Sequence, residues 1–414
     1  MSQPERRVIE FDAVTTLEDI RAARERIRSA VHETPCRRSE TLSRLAGAEV
    51  YLKLENLQPT GSFKERGALN RLLLIPEGER RRGVICASAG NHAQGVAYHA
   101  GRLGIPATIC MPEGTPLVKV SSTRGYGAEV VLHGANYDEA YEEARRRERE
   151  QGLLFIHPFD DAAVIAGQGT IGLELLEQLP DVDAVYVPVG GGGLGAGIAV
   201  ALHGLRPSVR LIGVEARVIA PMKASLEAGR RVTLDPAMSI ADGISVRTAG
   251  EQTFEIFQRH VERVLAVDEE EIASAILLLL EKEKTVAEGA GAAGLAGLLH
   301  GGATEKGTVA VIVSGGNIDV NLVARIIERG LVKAGRLVRL VVKVPDRPGA
   351  LARLTAALAE QRVNIIEIFH NRASGRSTLG EALVELTLET RGPDHVEALR
   401  GALVARGYDV ELDR

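Results

Sequence analysis

The chain is poor in cysteine, carries no large excess of either charge, and has no long unbroken apolar run. It holds 3 cysteines in 414 residues, Cys36, Cys86 and Cys110. An odd number without metal-ligand spacing argues against a disulfide scaffold and for a reducing cytoplasm. The formal net charge is −5, which gives no electrostatic footing for nucleic acid or an anionic membrane. Residues 1–12 (MSQPERRVIEFD) lack the apolar core of a signal peptide. The most apolar segment, 182–205, contains Pro188 and glycines at 190–193, 195 and 197. It therefore reads as strand, turn and helix, not as a membrane span. The charge run at 142–150 (EEARRRERE) reads as one solvated helix face. Internal repeats and low-complexity linkers are also missing.

What is present is a long alternation of short β-branched runs with helical patterns. Strands are expected at 83–88, 107–111, 129–132, 184–189, 211–215 and 309–313, with helices at 92–103, 117–126 and 137–151 between them. Apolar strands bounded by glycine and separated by helices imply βαβ units and a parallel sheet buried on both faces. The rhythm changes near Gly335. Residues 336–344 alternate like a half-exposed strand, followed by a turn at 345–349 and a helix at 350–360. Strands at 364–369 and 382–388, a helix at 395–404 and a last strand at 408–412 complete a ferredoxin-like βαββαβ order. The expected division is a large α/β domain over 1–332 and a small one over 336–414, with the boundary at about 331–336.

Four motifs carry chemistry. In Ser62-Phe63-Lys64-Glu65-Arg66-Gly67, Ser62 and Glu65 have capping-box spacing. Lys64 then falls on the first turn of a helix, where the dipole favours a neutral, nucleophilic amine. Gly190-Gly191-Gly192-Gly193-Leu194 follows a strand and precedes a helix, the arrangement that turns backbone N–H groups toward a phosphate. The same glycines, with Gly195 and the distant Glu215, also fit a dinucleotide-binding unit. Ser88-Ala89-Gly90-Asn91-His92 offers small residues and helix-terminal N–H groups for a carboxylate, and an amide for a ring oxygen. Ser314-Gly315-Gly316-Asn317 places a hydroxyl at a strand end, suited to a heterocyclic nitrogen. Pyridoxal phosphate uses all four, whereas a nicotinamide cofactor leaves Lys64 and Ser314 without a role.

In that order, S-F-K-E-R-G-A, S-A-G-N-H-A-Q-G, G-G-G-G-L and S-G-G-N resemble the threonine dehydratase (threonine ammonia-lyase) and serine dehydratase group. The wider resemblance is to the tryptophan-synthase-β-like pyridoxal enzymes, whose fold has two parallel-sheet subdomains. It spans nearly all of 17–330 and includes Thr34-Pro35, Glu55-Asn56, Ala241-Asp242-Gly243 and Glu288-Gly289-Ala290-Gly291. The C-terminal module resembles an ACT regulatory domain, with D-R-P-G-A-L at 346–351 as its signature.

The resemblance implies a role for each motif residue. Lys64 would bond the cofactor and later shuttle protons, and Phe63 would pack beside its ring. Asn91 would bond the ring hydroxyl, Gly190, Gly191, Gly192, Gly193 and Leu194 would hold the phosphate, and Ser314 would face the pyridine nitrogen. Ser88, Ala89, Gly90, Asn91 and His92 would surround the substrate, and Glu288 would lie near the ring. Related serine racemases bind a cation near a glutamate matching Glu215. The acid that follows six residues on is Pro221 here, so no metal is assigned.

The implied activity is β-elimination from L-threonine, giving 2-oxobutanoate and ammonia, with L-serine as a further substrate. Serine dehydratase and serine racemase are the alternatives, because one methyl group discriminates weakly. A catalytically silent amino-acid sensor is a third reading, opposed by the presence of Lys64, Asn91, the glycine run and Ser314. The expected partners are a small amino-acid substrate, a small amino-acid effector at the ACT-like module, and further copies of the chain. Nucleic acid and membrane are not expected.

Overall fold

A computed structural model describes residues 15–301, 305–372 and 378–413; the N-terminal stretch read for a signal peptide lies outside them. The chain divides into two compact units, Met1–Ile318 and Asp319–Arg414.

The first unit contains two sheets. The larger has six strands in the order Cys36–Arg38, Glu49–Leu54, Thr308–Val313, Ala184–Pro188, Arg210–Ala216 and Arg263–Val267. Its first pairing is antiparallel and the others are parallel. The smaller sheet orders Glu129–Leu132, Ala107–Met111, Val84–Ala87 and Leu154–Phe155, all parallel. Central strands such as Ala184–Pro188 and Ala107–Met111 are buried along their whole length, which is why they read as continuous apolar runs and not as alternation. Val185, Val187, Ile198 and Phe257 form part of the core under the large sheet. Val84, Cys86, Val96 and Ile109 do the same for the small one.

The apolar segment 182–205 resolves into the strand Ala184–Pro188, a glycine turn and the helix Gly193–Leu205. Among the described residues no helix is long and apolar enough to cross a membrane. Cys36, Cys86 and Cys110 are free thiols. Cys86 and Cys110 lie buried on the adjacent strands Val84–Ala87 and Ala107–Met111. Burial pushes the Cys110 thiol up to about 11 and moves Cys86 in the same direction. The charge run at 142–150 lies on the helix Tyr137–Gln151. It is not uniformly solvated: Glu143 turns inward and accepts hydrogen bonds from Arg146 and Arg147.

The second unit holds an antiparallel sheet in the order Asn364–Asn371, Glu381–Glu389, Leu337–Pro345 and Asp409–Asp413. Helices Ala350–Glu360 and Pro393–Ala405 cover one face, with Leu340, Val342, Leu354, Val384 and Leu399 among the core. This is the ferredoxin-like order expected from the sequence. The edge strand Asn364–Asn371 is exposed at every residue, Ile366 and Phe369 included.

Candidate active site

Three of the four motifs sit at the C-terminal ends of parallel strands, where ligands of α/β sheets bind. Ser88 follows Val84–Ala87, Gly190 follows Ala184–Pro188, and Ser314 follows Thr308–Val313. The fourth is tied to them. Phe63 N donates to the Ser314 carbonyl at 3.0 Å, and Ser62 pairs with Gly315 in an isolated bridge.

Lys64 is the first residue of the helix Lys64–Leu73, as the motif implies. The capping box does not form. Phe63 occupies the N-cap position without a side-chain cap bond, and the Ser62 hydroxyl is buried without a partner. Glu65 reaches backward instead, accepting from Thr60 N at 2.9 Å and from Thr60 Oγ1 at 2.6 Å. The physical reason is burial: Glu65 is fully enclosed, and the neighbouring loop supplies two donors at once. Lys64 Nζ donates to the Pro158 carbonyl at 2.9 Å. Burial pulls its pKa down to about 8, while the Glu288 carboxylate pulls the other way. Near neutral pH the amine therefore has a usable nucleophilic fraction.

The Pro158 loop carries the site across to the glycine run. The Phe159 ring lies where a Cβ on Gly191 would fall, 2.3 Å away, and the Phe159 carbonyl lies 2.8 Å from one on Gly193. Gly192 is left-handed, with φ of 99°. The first intrahelical bond runs from Ala196 N to Gly192 O, so the N–H groups of Gly193, Leu194 and Gly195 have no helix partner. Glycine is required here for packing as well as for a bare backbone surface.

Asn91 begins the helix Asn91–Leu103. Its Nδ2 donates to Glu288 Oε1 at 2.6 Å, and its Oδ1 accepts from Asn317 Nδ2 at 2.8 Å. Ser88, Ala89, Gly90 and Asn91 are half-buried, as are Phe63 and Lys64. His92 turns away into the interior, with Nε2 3.0 Å from the Ile156 carbonyl. Burial, with Lys64 nearby, lowers its pKa to about 3, so the imidazole stays neutral and is no general acid at neutral pH. Glu288 is buried, and its carboxyl is pushed up to about 7 by burial and by Asp242. Asp242 is paired with Lys119 at 2.8 Å.

Glu288, Asn317 and the Pro158 carbonyl are contacts that sequence reasoning left without a role. The first two lie inside motifs already singled out. The loop at 157–160 has no periodic signal that could have flagged it.

Glu215 is buried at the end of Arg210–Ala216. Its two oxygens accept from Met222 N at 2.9 Å and Lys223 N at 2.8 Å, at the start of the helix Pro221–Ala228. Among the described residues, no group of three or more His, Cys, Asp or Glu is placed to hold a metal ion. Burial pushes the Glu215 carboxyl up to about 8 against the two N–H donors. Between about 4.5 and 8 the folded chain keeps a proton that the unfolded chain has lost, so this contribution to stability falls as pH rises through that window. Glu215→Gln is expected to lose less Tm than the parent between pH 5 and 8.5, by on the order of a few degrees. Parallel Tm curves in thermal melts across that range would contradict it.

The residues present fit a phosphorylated pyridine aldehyde. They supply a buried amine of lowered pKa, unpaired N–H groups behind a side-chain-free turn, an oriented amide, and the Ser314 hydroxyl at a strand end. A family model described as pyridoxal-phosphate dependent enzyme matches residues 27–315, and one described as ACT domain matches 338–404. The chain is 51% identical to an L-threonine ammonia-lyase of Thermotoga maritima, over 96% of this chain and 99% of that protein. It is 49% identical to an L-threonine ammonia-lyase of Geobacter sulfurreducens, over 95% and 98%. Among solved structures, a threonine deaminase from T.th. superposes with a TM-score of 0.70 at 45% identity, covering 73% of this chain and 99% of that one. A serine racemase from maize gives a TM-score of 0.73 at 34% identity, covering 78% and 99%.

Proposed function

This chain belongs to the pyridoxal-phosphate dependent enzyme family and carries an ACT domain, and from that premise we propose that it is an L-threonine ammonia-lyase that also accepts L-serine. The observation that carries the reading is Lys64: a helix-terminal amine at a lowered pKa, tied by contacts to the other motifs, to Ser314 through Phe63, to the glycine turn through the loop at Pro158 and Phe159, and to Asn91 through Glu288. Bound pyridoxal phosphate supplies an electron sink for charge developing at the substrate Cα.

The chain's own residues do the rest. Lys64 Nζ would hold the cofactor aldehyde, and its free amine would accept the Cα proton. Gly190, Gly191, Gly192, Gly193 and Leu194 would hold the phosphate, with the helix-terminal N–H groups of Gly193 and Leu194 directed to it. Phe63 would flank the ring, and Asn91 would bond its oxygen. Ser314 would face the pyridine nitrogen as a neutral partner, so that negative charge at Cα would be weakly stabilised and the β-hydroxyl, once protonated, would leave promptly as water. Ser88, Ala89, Gly90 and the helix terminus at Asn91 hold the substrate carboxylate. His92 supports that loop from behind through Ile156.

The test is keto-acid detection on the purified, cofactor-loaded protein. L-threonine should yield 2-oxobutanoate and ammonia in equal amounts, with kcat/KM above that for L-serine. A preference for serine, or conversion of L- to D-serine without keto acid, would replace this reading with one of the serine-acting alternatives.

The ACT domain is proposed to bind a small amino acid near the turn at 346–351 and Asn364, with copies pairing through the exposed edge strand Asn364–Asn371. A ligand at about 100 times its Kd adds about 2.7 kcal/mol to the unit that binds it. Thermal melts of the full chain with single L-amino acids should therefore raise one transition for at least one of them, and Asp346→Ala should remove the shift. A flat response to every amino acid would leave the domain as a pairing module only.

A further inference from the structure

The amide of Asn91 is oriented through Asn317, whose own orientation is decided by a backbone carbonyl. The Thr60 carbonyl can only accept. Asn317 Nδ2 donates to it at 2.8 Å and to Asn91 Oδ1 at 2.8 Å. Thr60 thus decides which end of the Asn317 amide is nitrogen, since partners and not shape make that choice. Asn317 in turn decides which end of Asn91 is oxygen. Asn91 Nδ2 then donates to Glu288 Oε1 at 2.6 Å and carries one further N–H.

The chain of bonds is anchored beside the catalytic lysine. Thr60 is held by Glu65, the residue after Lys64, through the two bonds described above. It also passes over two glycines that leave it room. A Cβ on Gly61, where φ is 74°, would sit 2.5 Å from Asn317 Oδ1. One on Gly315 would sit 2.3 Å from Glu288 Oε1 and 3.1 Å from Asn91 Nδ2.

We propose that Glu288 and Asn317 are positioning residues for the cofactor: together they set the Asn91 amide so that its remaining N–H donates to the ring oxygen and holds that oxygen as its anion. The inference rests on the reading of Asn91 as the ring-oxygen contact. A carboxyl pushed up to about 7 has both protonation states within reach near neutrality. The bond to Asn91 persists in either, because a protonated carboxyl keeps an acceptor oxygen.

The test uses the cofactor-loaded full-length protein and reads cofactor Kd and the ratio of the two absorbance bands that report ring-oxygen ionisation. Asn91→Ala, Glu288→Leu and Asn317→Asp should each weaken Kd about tenfold or more and move the band ratio the same way. Asn317→Asp nearly keeps the volume and reverses the polarity, so it is informative even if Glu288→Leu folds poorly. Glu288→Gln, which still offers an acceptor, should bring the band ratio back toward that of the parent. Adding Glu288→Leu to Asn91→Ala should change neither readout further, because one acts through the other. A lowered Tm with an unchanged band ratio in Glu288→Leu and Asn317→Asp, while Asn91→Ala shifts it, would overturn the positioning role alone. An unchanged ratio in Asn91→Ala would overturn both that role and the reading of Asn91.

Discussion

Lys64→Ala is expected to lower kcat on the order of 10⁴-fold and to abolish the absorbance signature of covalently held cofactor, with Tm of the cofactor-free protein nearly unchanged. The fold does not depend on this amine. Among the described residues its one hydrogen bond is to the Pro158 carbonyl, and burial already works against its charge. Lys64→Arg should fail just as completely, although it keeps the charge, because a guanidinium stays protonated at any accessible pH. Steady-state keto-acid assays with a detection floor below about 1% of parent activity, paired with absorbance scans, check both variants. Retention of a tenth of the activity in either would remove Lys64 from the chemistry.

Arg66→Met should destabilise the first unit by about 3–5 kcal/mol. Arg66 is fully buried between two carboxylates. It donates to Glu55 Oε2 at 2.8 Å and Oε1 at 2.9 Å, to Glu174 Oε1 at 2.5 Å and Oε2 at 2.9 Å, to Thr170 Oγ1 at 3.1 Å and to the His32 carbonyl at 3.1 Å. Lys53, equally buried, donates to Glu174 at 2.6 Å and to the Thr34 carbonyl at 2.7 Å. Two cations thus balance two anions with almost no solvent. Burial alone would raise Glu55, yet the Arg66 guanidinium holds it below the ordinary carboxylate value. Removing Arg66 leaves an uncompensated negative charge in that enclosure. Urea unfolding followed by far-UV circular dichroism measures the loss. A change under about 1 kcal/mol would mean that the network relaxes or admits water at little cost.

These two residues show what the sequence discloses and what it conceals. The helix start at Lys64 is legible because its neighbours carry a local signal, a turn followed by a helical apolar period. The strands 107–111 and 129–132 and the helix 137–151 are legible for the same reason, since period and composition are local properties. Arg66 and Glu174 stand 108 positions apart, and nothing in the helical pattern around Arg66 distinguishes a buried guanidinium from a solvated one. Glu65 misleads in the other direction. Its spacing from Ser62 is right for a capping box, but Thr60 lies within reach once the chain turns at Gly61. Glu288 is visible as part of a motif and mute as to role, because its partners Asn91 and Asp242 come from distant parts of the chain. The change of rhythm at Gly335 marks where a strand begins, whereas the compact units part after Ile318.

Cys86 and Cys110 give the smaller sheet a reporter of its own opening. Both thiols are enclosed and resist ionisation while the strands stay paired. A maleimide or disulfide dye added to the native protein should therefore reach them only during excursions that part those strands. The rate of dye uptake at these two positions reads the frequency of such excursions, and a bound amino acid that damps them would announce itself as protection.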